Sequence, residues 1–482
     1  MKRFLAVVLA FCCLPIVVCF ASCDEEVDSG ISYEITAEYI PESRSLFATM
    51  KVTYEQKTDA VKEDLRFQLP PNAYRKGALY PAVSSTYHAS AYYEGDSYGE
   101  IVITSVVGGK GWQVCGDDNN VLVVDLETPV EQGGKVVLDI GFVTRLAQVN
   151  HRTGVSEKAV NLGNFFPILC ADLGQGFVET PYYCVGDPFL SECADYTVRI
   201  KAPKGYVVAA TGRLQEEQVL ESKKQSVFEA ENVRDFAMAL SEDFQVLEKR
   251  IGKTTAQYYY IDDHKAKERL ALIGEALTCF SSAFGEYAYD TYSVVQTGFC
   301  MGGMEYPGLT FVAAGLDEKS TLQAIVHETA HQWWYAAVGS DQVHEAWQDE
   351  GLTEYSTIYF FEKSPKYGLS KEKLVEGSLT ACRAYREVYG SIFGEDGKMS
   401  RRLDEYVSEY AYRVLAYDKG VVLFDNLRRS IGDKKFFSAL KKYYTAGKYD
   451  LVSVGTLKGA FEKAGVDVSG LIDSFLEGKV II

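Results

Sequence analysis

The chain has 482 residues, 47% of them hydrophobic and 24% charged, an ordinary globular composition at a length that suggests about two or three domains. Its 49 basic and 67 acidic residues give a net charge of −18, with no clustered basic stretch. Nucleic acid is disfavoured as a partner, because phosphate binding needs concentrated Lys and Arg, and the acidity reads as solubility.

The first residues stand apart. Lys2 and Arg3 precede an almost unbroken apolar run from Phe4 to Ala21, followed by Ser22, Cys23 and the acidic Asp24-Glu25-Glu26. A short basic start, an apolar middle and small residues before a polar chain describe an export signal, read here as residues 1–22. Phe20-Ala21-Ser22-Cys23 resembles a bacterial lipobox, with Phe20 where Leu, Val or Ile is usual. That predicts lipid on Cys23, membrane contact through this anchor, and a location on the outer face of the cell membrane. Simple secretion and an uncleaved anchor are the alternatives. No later stretch is apolar for 18 residues. Of the 11 cysteines, Cys170, Cys184 and Cys193 are near enough in sequence for one pair to form a disulfide.

From Ile31 to about Val246 short runs rich in Tyr, Val, Ile and Thr alternate with turn signals. Ser32–Tyr39, Leu46–Tyr54, Glu100–Val107, Val121–Leu126, Val136–Phe142 and Tyr196–Ile200 read as strands, broken by Pro41-Glu42-Ser43, Gly108-Gly109 and Gly133-Gly134. Period-two alternation repeated in this way predicts a β-sandwich-like domain over residues 23–248. Lys265–Phe284 then reads as a helix, and Ser293–Gln296 and Leu309–Ala313 as strands. Helical patterns follow over Thr321–Val338, Ala346–Phe361, Lys371–Tyr389, Val407–Arg429, Lys434–Tyr444 and Thr456–Lys463, with Gly339 and Gly432 as helix-closing glycines. Segregated strands and helices define the α+β class, with an α/β-to-helical domain over residues 249–482.

His327-Glu328-Thr329-Ala330-His331 is an HExxH motif inside the predicted helix Thr321–Val338. A four-residue step brings both imidazoles out of one face, about 6 Å apart along the axis, where two nitrogens can reach one Zn²⁺. Glu328 lies about 100° round the helix, too far to share that face but able to act on a water there. With six His and 67 acidic residues in the chain, chance occurrence is about 1%. A zinc peptidase needs a third ligand and an open fourth position. Glu350 is the candidate, eighteen residues after His331 in Trp347-Gln348-Asp349-Glu350-Gly351-Leu352. One turn on, Glu354 either hydrogen-bonds a liganding imidazole or stays solvated, and His344 reads as a surface residue.

These residues resemble the aminopeptidase N family of gluzincins, whose signature is HExxH, eighteen residues, then Glu in Trp-x-x-Glu-Gly. Gly302-Gly303-Met304-Glu305-Tyr306 looks like the family's Gly-x-Met-Glu-Asn strand, with Tyr306 in place of Asn. His331-Gln332-Trp333-Trp334 extends the first motif as the family does, and Tyr417-Asp418-Lys419-Gly420 looks like its Tyr-x-Lys-Gly segment. Leu65–Ala73, Asp187–Glu192 and Val207–Gly212 resemble the N-terminal β domain of bacterial members. The chain ends about 62 residues after Gly420, which implies a compact member without the large C-terminal helical domain of longer relatives.

The resemblance implies a thermolysin-like catalytic domain and one Zn²⁺ per chain held by His327, His331 and Glu350. Glu328 would be the general base and Tyr417 the donor to the developing oxyanion. Glu305 would pair with the α-ammonium of a peptide, and Gly302, Gly303 and Met304 would let its backbone lie along the strand. The implied activity is release of N-terminal residues from peptides. A zinc endopeptidase of the same fold, and an inactive surface binding protein, are the rival readings.

Overall fold

Alternation of apolar residues along Ile31–Ile40 puts Ile31, Tyr33, Ile35, Ala37 and Tyr39 on one buried face, the mark of a strand with one face in a core. The computed structural model describes residues 29–174, 176–394 and 396–480. Residues 1–22, read above as an export signal, and Cys23 lie outside the described residues. Ile31–Ile40 is central in a seven-stranded sheet whose spatial order is Arg213–Leu220, Lys223–Val233, Ala194–Pro203, Ile31–Ile40, Ser45–Glu55, Lys135–Arg145 and Glu100–Val107. The Ser32↔Asp195 register is parallel and the other pairings are antiparallel. A second, four-stranded antiparallel sheet, built on Lys62–Gln68 and Val121–Val130, contributes Leu65, Phe67, Leu122 and Val124 to the same core as Ile35, Val52 and Leu138. The two layers are the expected sandwich-like half.

A third sheet joins the halves. Its strands Val207–Ala210 and Met238–Ser241 put Ala209 and Ala239 into one buried cluster with Val295, Met304, Tyr306 and Phe311 of the second half. The five-stranded sheet of the second half runs Gln245–Ile251, Thr254–Tyr260, Thr291–Thr297, Leu309–Ala313 and Gly303–Met304. The expected boundary at 248/249 falls inside its first strand. Helix Ala266–Phe284 crosses between parallel neighbours, and the two-residue strand Gly303–Met304 forms the outer edge. Among the described residues no helix is long and apolar enough to cross a membrane.

Four details differ from the sequence reading. Thr321–Val338 is an α-helix only over Glu318–His331, followed by a wider π-type turn over Gln332–Ala337. Val407–Arg429 is three pieces, Glu409–Tyr412, a π-type turn Arg413–Asp418, and Lys419–Ile431. Cys170, Cys184 and Cys193 carry free thiols. Gly432 closes its helix at φ 79°, as expected, whereas Gly339 has a different duty. A Cβ there would lie 2.6 Å from Nη2 of Arg234, a buried side chain of the first half.

Arg234 fastens the halves together. Its Nε donates to Tyr335 O at 2.8 Å, Nη1 to Ser191 O at 3.0 Å and Nη2 to Asp450 O at 3.1 Å. Removing the guanidinium strands three carbonyls, each costing about 1–3 kcal/mol when left unpaired. Arg234→Met is therefore expected to lower stability by about 3 kcal/mol or more, read as a shift in the urea midpoint. An unchanged midpoint would mean that water replaces the side chain without loss.

Candidate metal centre

Helix Glu318–His331 starts cleanly: Asp317 is its N-cap and accepts from Ser320 N at 2.8 Å. Its last turn carries His327, Glu328 and His331 into a cleft with about 1260 Å³ of open space, whose walls also include Gly302, Gly303, Glu305, Glu350, Glu354 and Tyr417. Glu350 arrives on the helix Ala346–Lys363. That helix passes the Tyr417 segment at backbone contact, since a Cβ on Gly351 would lie 2.8 Å from Gly420 Cα. Two glycines, each next to or near a site residue in sequence, are what let Glu350 and Tyr417 meet.

The three expected ligands converge. His327 Nε2 and His331 Nε2 lie 3.0 Å apart, and Glu350 Oε2 is 3.4 and 3.3 Å from them. Tetrahedral coordination at bond lengths of about 2.0–2.1 Å requires ligand atoms about 3.3 Å apart, so the triangle already has the dimensions of a zinc site. The donor chemistry agrees. His327 Nδ1 pairs with Glu354 Oε2 at 2.8 Å and His331 Nδ1 with Asp349 Oδ1 at 2.7 Å. Those carboxylates favour the proton on Nδ1, which turns both Nε2 lone pairs toward the same point. Glu350 Oε2 is buried with no hydrogen-bond partner among the described residues. A cation between these atoms would satisfy all three, and the residues present fit a zinc ion. A second grouping, Glu305, Glu328 and His331, lies within 4.8 Å and shares His331 with the first.

Electrostatics follow from burial and crowding. Burial opposes the charge of His327, but Glu350 and Glu354 outweigh it and hold its pKa up to about 10. Burial works the same way on His331, where Asp349, Glu305 and Glu350 raise the pKa well above the ordinary range. Burial also opposes the charge of Glu350, yet the two imidazoles hold it well below the usual carboxylate range. Glu328 is pushed up to about 7 by burial, with the imidazoles pulling down and Glu350 and Asp187 pushing up. Burial, and after it the negative charge of Glu350, keeps the Tyr417 hydroxyl protonated far above neutrality. It donates to Glu350 Oε1 at 2.5 Å, and its ring stacks on His327 at 5.8 Å.

Other expected residues lie as follows. Glu305 is buried at 4% exposure and reached by Gln342 Nε2 at 3.3 Å. Gly303 gives Glu328 room: a Cβ there would stand 2.6 Å from the Glu328 carboxyl carbon. Gly302 faces open space, with nothing within 4 Å of where its Cβ would be. Met304, within the edge strand, is buried, its Sδ accepting from Arg152 Nε at 3.1 Å. Tyr306 points away from the ligands into the seam between the halves, its hydroxyl donating to Asn164 Oδ1 at 3.1 Å. A Cβ on Gly163 would collide with that hydroxyl, so the Tyr for Asn exchange is absorbed by packing. His344 is exposed and paired with Asp341 at 2.8 Å.

Sequence reasoning missed several contributors. Asp349 orients His331, and Gln342 links Asp349 Oδ2, at 2.6 Å, to Glu305. Tyr412 puts a second hydroxyl on Glu350 Oε1 at 3.2 Å. Asp187, paired with the buried Arg152, adds a further carboxylate to the cleft. Only Asp349 carried a sequence signal, as the acid beside a predicted ligand; Gln342 lies in the connection between the two site helices, and Tyr412 and Asp187 come from distant segments.

A sandwich-like β half is thus joined to an α/β-to-helical half in which two helices present a His, His, Glu triangle. Residues 269–475 match the Peptidase family M1 domain. Over that segment the chain is similar to aminopeptidases of this kind. It is 27% identical over 201 residues to aminopeptidase B of Homo sapiens, covering 38% of this chain and 28% of that protein. It is 26% identical over 171 residues to leucine aminopeptidase 2 of Emericella nidulans, covering 34% of this chain and 26% of that one. The chain therefore spans little more than a quarter of the length of the curated relatives it matches. Its fold is similar to the crystal structure of the M1 zinc metallopeptidase from Deinococcus radiodurans, with TM-score 0.62, 17% identity and 94% of each chain covered. A mutant of that enzyme bound to a Tyr-Ser-Ala substrate matches at TM-score 0.62 and 16% identity, over 94% of this chain and 96% of that one.

Proposed function

We propose that this protein is a zinc-dependent aminopeptidase holding one zinc per chain through His327, His331 and Glu350. When bound, zinc supplies a Lewis acid that acidifies water and polarises a peptide carbonyl. Glu328 takes the proton of the attacking water and returns it to the leaving amine. Tyr417 turns its hydroxyl from Glu350 to the carbonyl oxygen, where negative charge develops. Gly302 and Gly303 leave the edge strand bare, so a peptide backbone can lie along it as an added strand.

The observation that carries the exopeptidase reading is Glu305. Its carboxyl is buried beside the edge strand; burial and the neighbouring Asp187 push its pKa well above the carboxylate range. Among the described residues the amide of Gln342 is its side-chain hydrogen-bond partner, and His331, the imidazole acting on its charge, is one of the metal-ligand candidates. A substrate α-ammonium supplies the missing counter-charge, and only a peptide with a free N-terminus brings one. Glu305→Ala is expected to lower kcat/KM on free-amine peptides by about 10- to 150-fold with zinc retained, the loss of one charge-assisted contact. Matched free and N-acetylated peptides, assayed with and without chelator, test the reading. Equal rates on the two, with Glu305→Ala indistinguishable from the native protein, would make this an endopeptidase.

Export and lipidation at Cys23 complete the proposal and rest on residues 1–23 of the sequence. The intact mass of the processed N-terminus tests them; an unmodified Cys23 would leave simple secretion.

A further inference from the structure

The second half carries a basic face, although the chain as a whole has a net charge of −18. Helix Asp433–Gly447 sets Lys434, Lys441 and Lys442 along one stripe, and Lys463 joins them from the end of helix Val454–Lys463. Helical periodicity keeps the first three on one side of their helix over about 12 Å. All four lysines are exposed, and the shallow groove they line contains no carboxylate. None of them has an ion pair among the described residues. The one acid of the helix, Asp433, is already held by Arg428 Nε at 2.9 Å. Clustered like charges repel, so this face is suited to an anionic partner.

A run of contacts places the face near the start of the first strand. Tyr449, just beyond the helix, packs its ring against Tyr289 at 6.2 Å. The Tyr289 hydroxyl donates to Asn232 O at 3.3 Å, and Asn232 N donates to Asp195 Oδ1 at 2.9 Å. Asp195 pairs in turn with Ser32, at the start of Ile31–Ile40. Cys23 precedes Ser29, the first described residue, by six positions, a reach of at most about 20 Å. A lipid on Cys23 therefore keeps this end of the protein beside the bilayer. Charges are felt over only about 8 Å at physiological salt, so the bilayer senses the nearest face rather than the acidic remainder. We infer that Lys434, Lys441, Lys442 and Lys463 dock on the anionic phospholipid headgroups of the membrane that holds Cys23, and so fix how the protein stands on it. This rests on the lipidation reading above.

The test is lysine footprinting of the membrane-extracted protein, with Cys23 checked by intact mass, on vesicles of phosphatidylcholine alone or mixed with phosphatidylglycerol. Acylation of the four lysines is expected to slow by about fivefold or more on the mixed vesicles, the weight of a single lysine at an anionic surface. Lys204, exposed beyond the opposite end of strand Ala194–Pro203 from Asp195, should label equally on both. High salt should remove the difference. Lys441→Gln with Lys442→Gln should shrink it at Lys434 and Lys463, whereas Arg at the same two positions should keep it. Equal labelling of the four lysines on both vesicles, the same slowing at Lys204, or a difference untouched by the Gln pair would overturn the inference. So would equal protection by soluble polyglutamate, which would make the face a dock for an acidic protein. An unmodified Cys23 would overturn the lipidation reading alone. Low-salt sedimentation of that form with mixed vesicles but not with pure phosphatidylcholine would then support the face, and no sedimentation would overturn it.

Discussion

Glu350→Ala is expected to lose zinc and hydrolysis together, with metal affinity falling by more than about a hundredfold. Removing a residue that merely orients a ligand already costs about 10- to 100-fold, and Glu350 is proposed to supply a ligand atom directly. The remaining site, two imidazoles 3.0 Å apart, lacks the charge that draws a cation in. The same geometry fixes a pH dependence. Protons and metal compete for the Nε2 lone pairs, and neighbouring carboxylates hold the pKa of His327 up to about 10 and that of His331 well above its ordinary value. At neutral pH each imidazole must therefore release a proton as metal enters, so affinity rises with pH and falls in acid. Competition with a chromophoric chelator between about pH 6 and 8 should give a logarithmic slope between about one and two. A flat profile would mean that the imidazoles carry no proton for the metal to displace, and a Glu350→Ala protein holding stoichiometric zinc at ordinary affinity would remove Glu350 from the ligand set.

What the sequence disclosed about this site depended on distance along the chain. His327 and His331 share a helix, so their spacing alone put both nitrogens on one face. Glu350 needed the resemblance as well, because nothing local says that a second helix folds back over the first. Gly351 and Gly420 carry that information as a backbone contact, which only the packed structure reveals. Asp349, Gln342 and Tyr412 act through partners that no periodicity links to them. Strands alternating at period two were read to within a few residues, as at Ile31–Ile40 and Glu100–Val107. Long helical patterns were read as unbroken, because apolar periodicity cannot distinguish an α-turn from the wider turn at Arg413–Asp418. That turn sets Tyr412 and Tyr417 so that both hydroxyls meet one oxygen of Glu350.

Glu328→Gln and Tyr417→Phe are expected to keep zinc and lose turnover, the first by about 10²- to 10⁴-fold and the second by about 10²- to 10³-fold, with KM little changed. Glu328 is suited to moving a proton. Its Oε2 is buried with no hydrogen-bond partner among the described residues, and burial lifts its pKa to about 7, near the working range of a general base. Gln keeps the shape and removes the base, so metal binding should survive. Tyr417 needs a sharper test, because its hydroxyl rests on Glu350 and two duties are open to it. If it orients the ligand, Tyr417→Phe should loosen zinc and leave the rate at saturating metal near normal. If it stabilises the oxyanion, zinc should stay and kcat should fall. Tyr412 favours the second outcome, since its hydroxyl lies 3.2 Å from the same Glu350 oxygen and holds the carboxylate when Tyr417 turns away. Tyr412→Phe should then show the opposite pattern, a weaker hold on zinc with a smaller change in kcat once metal is saturating. Near-normal turnover in Tyr417→Phe would assign that residue to packing against His327, and the oxyanion donor would have to be sought elsewhere on the cleft wall.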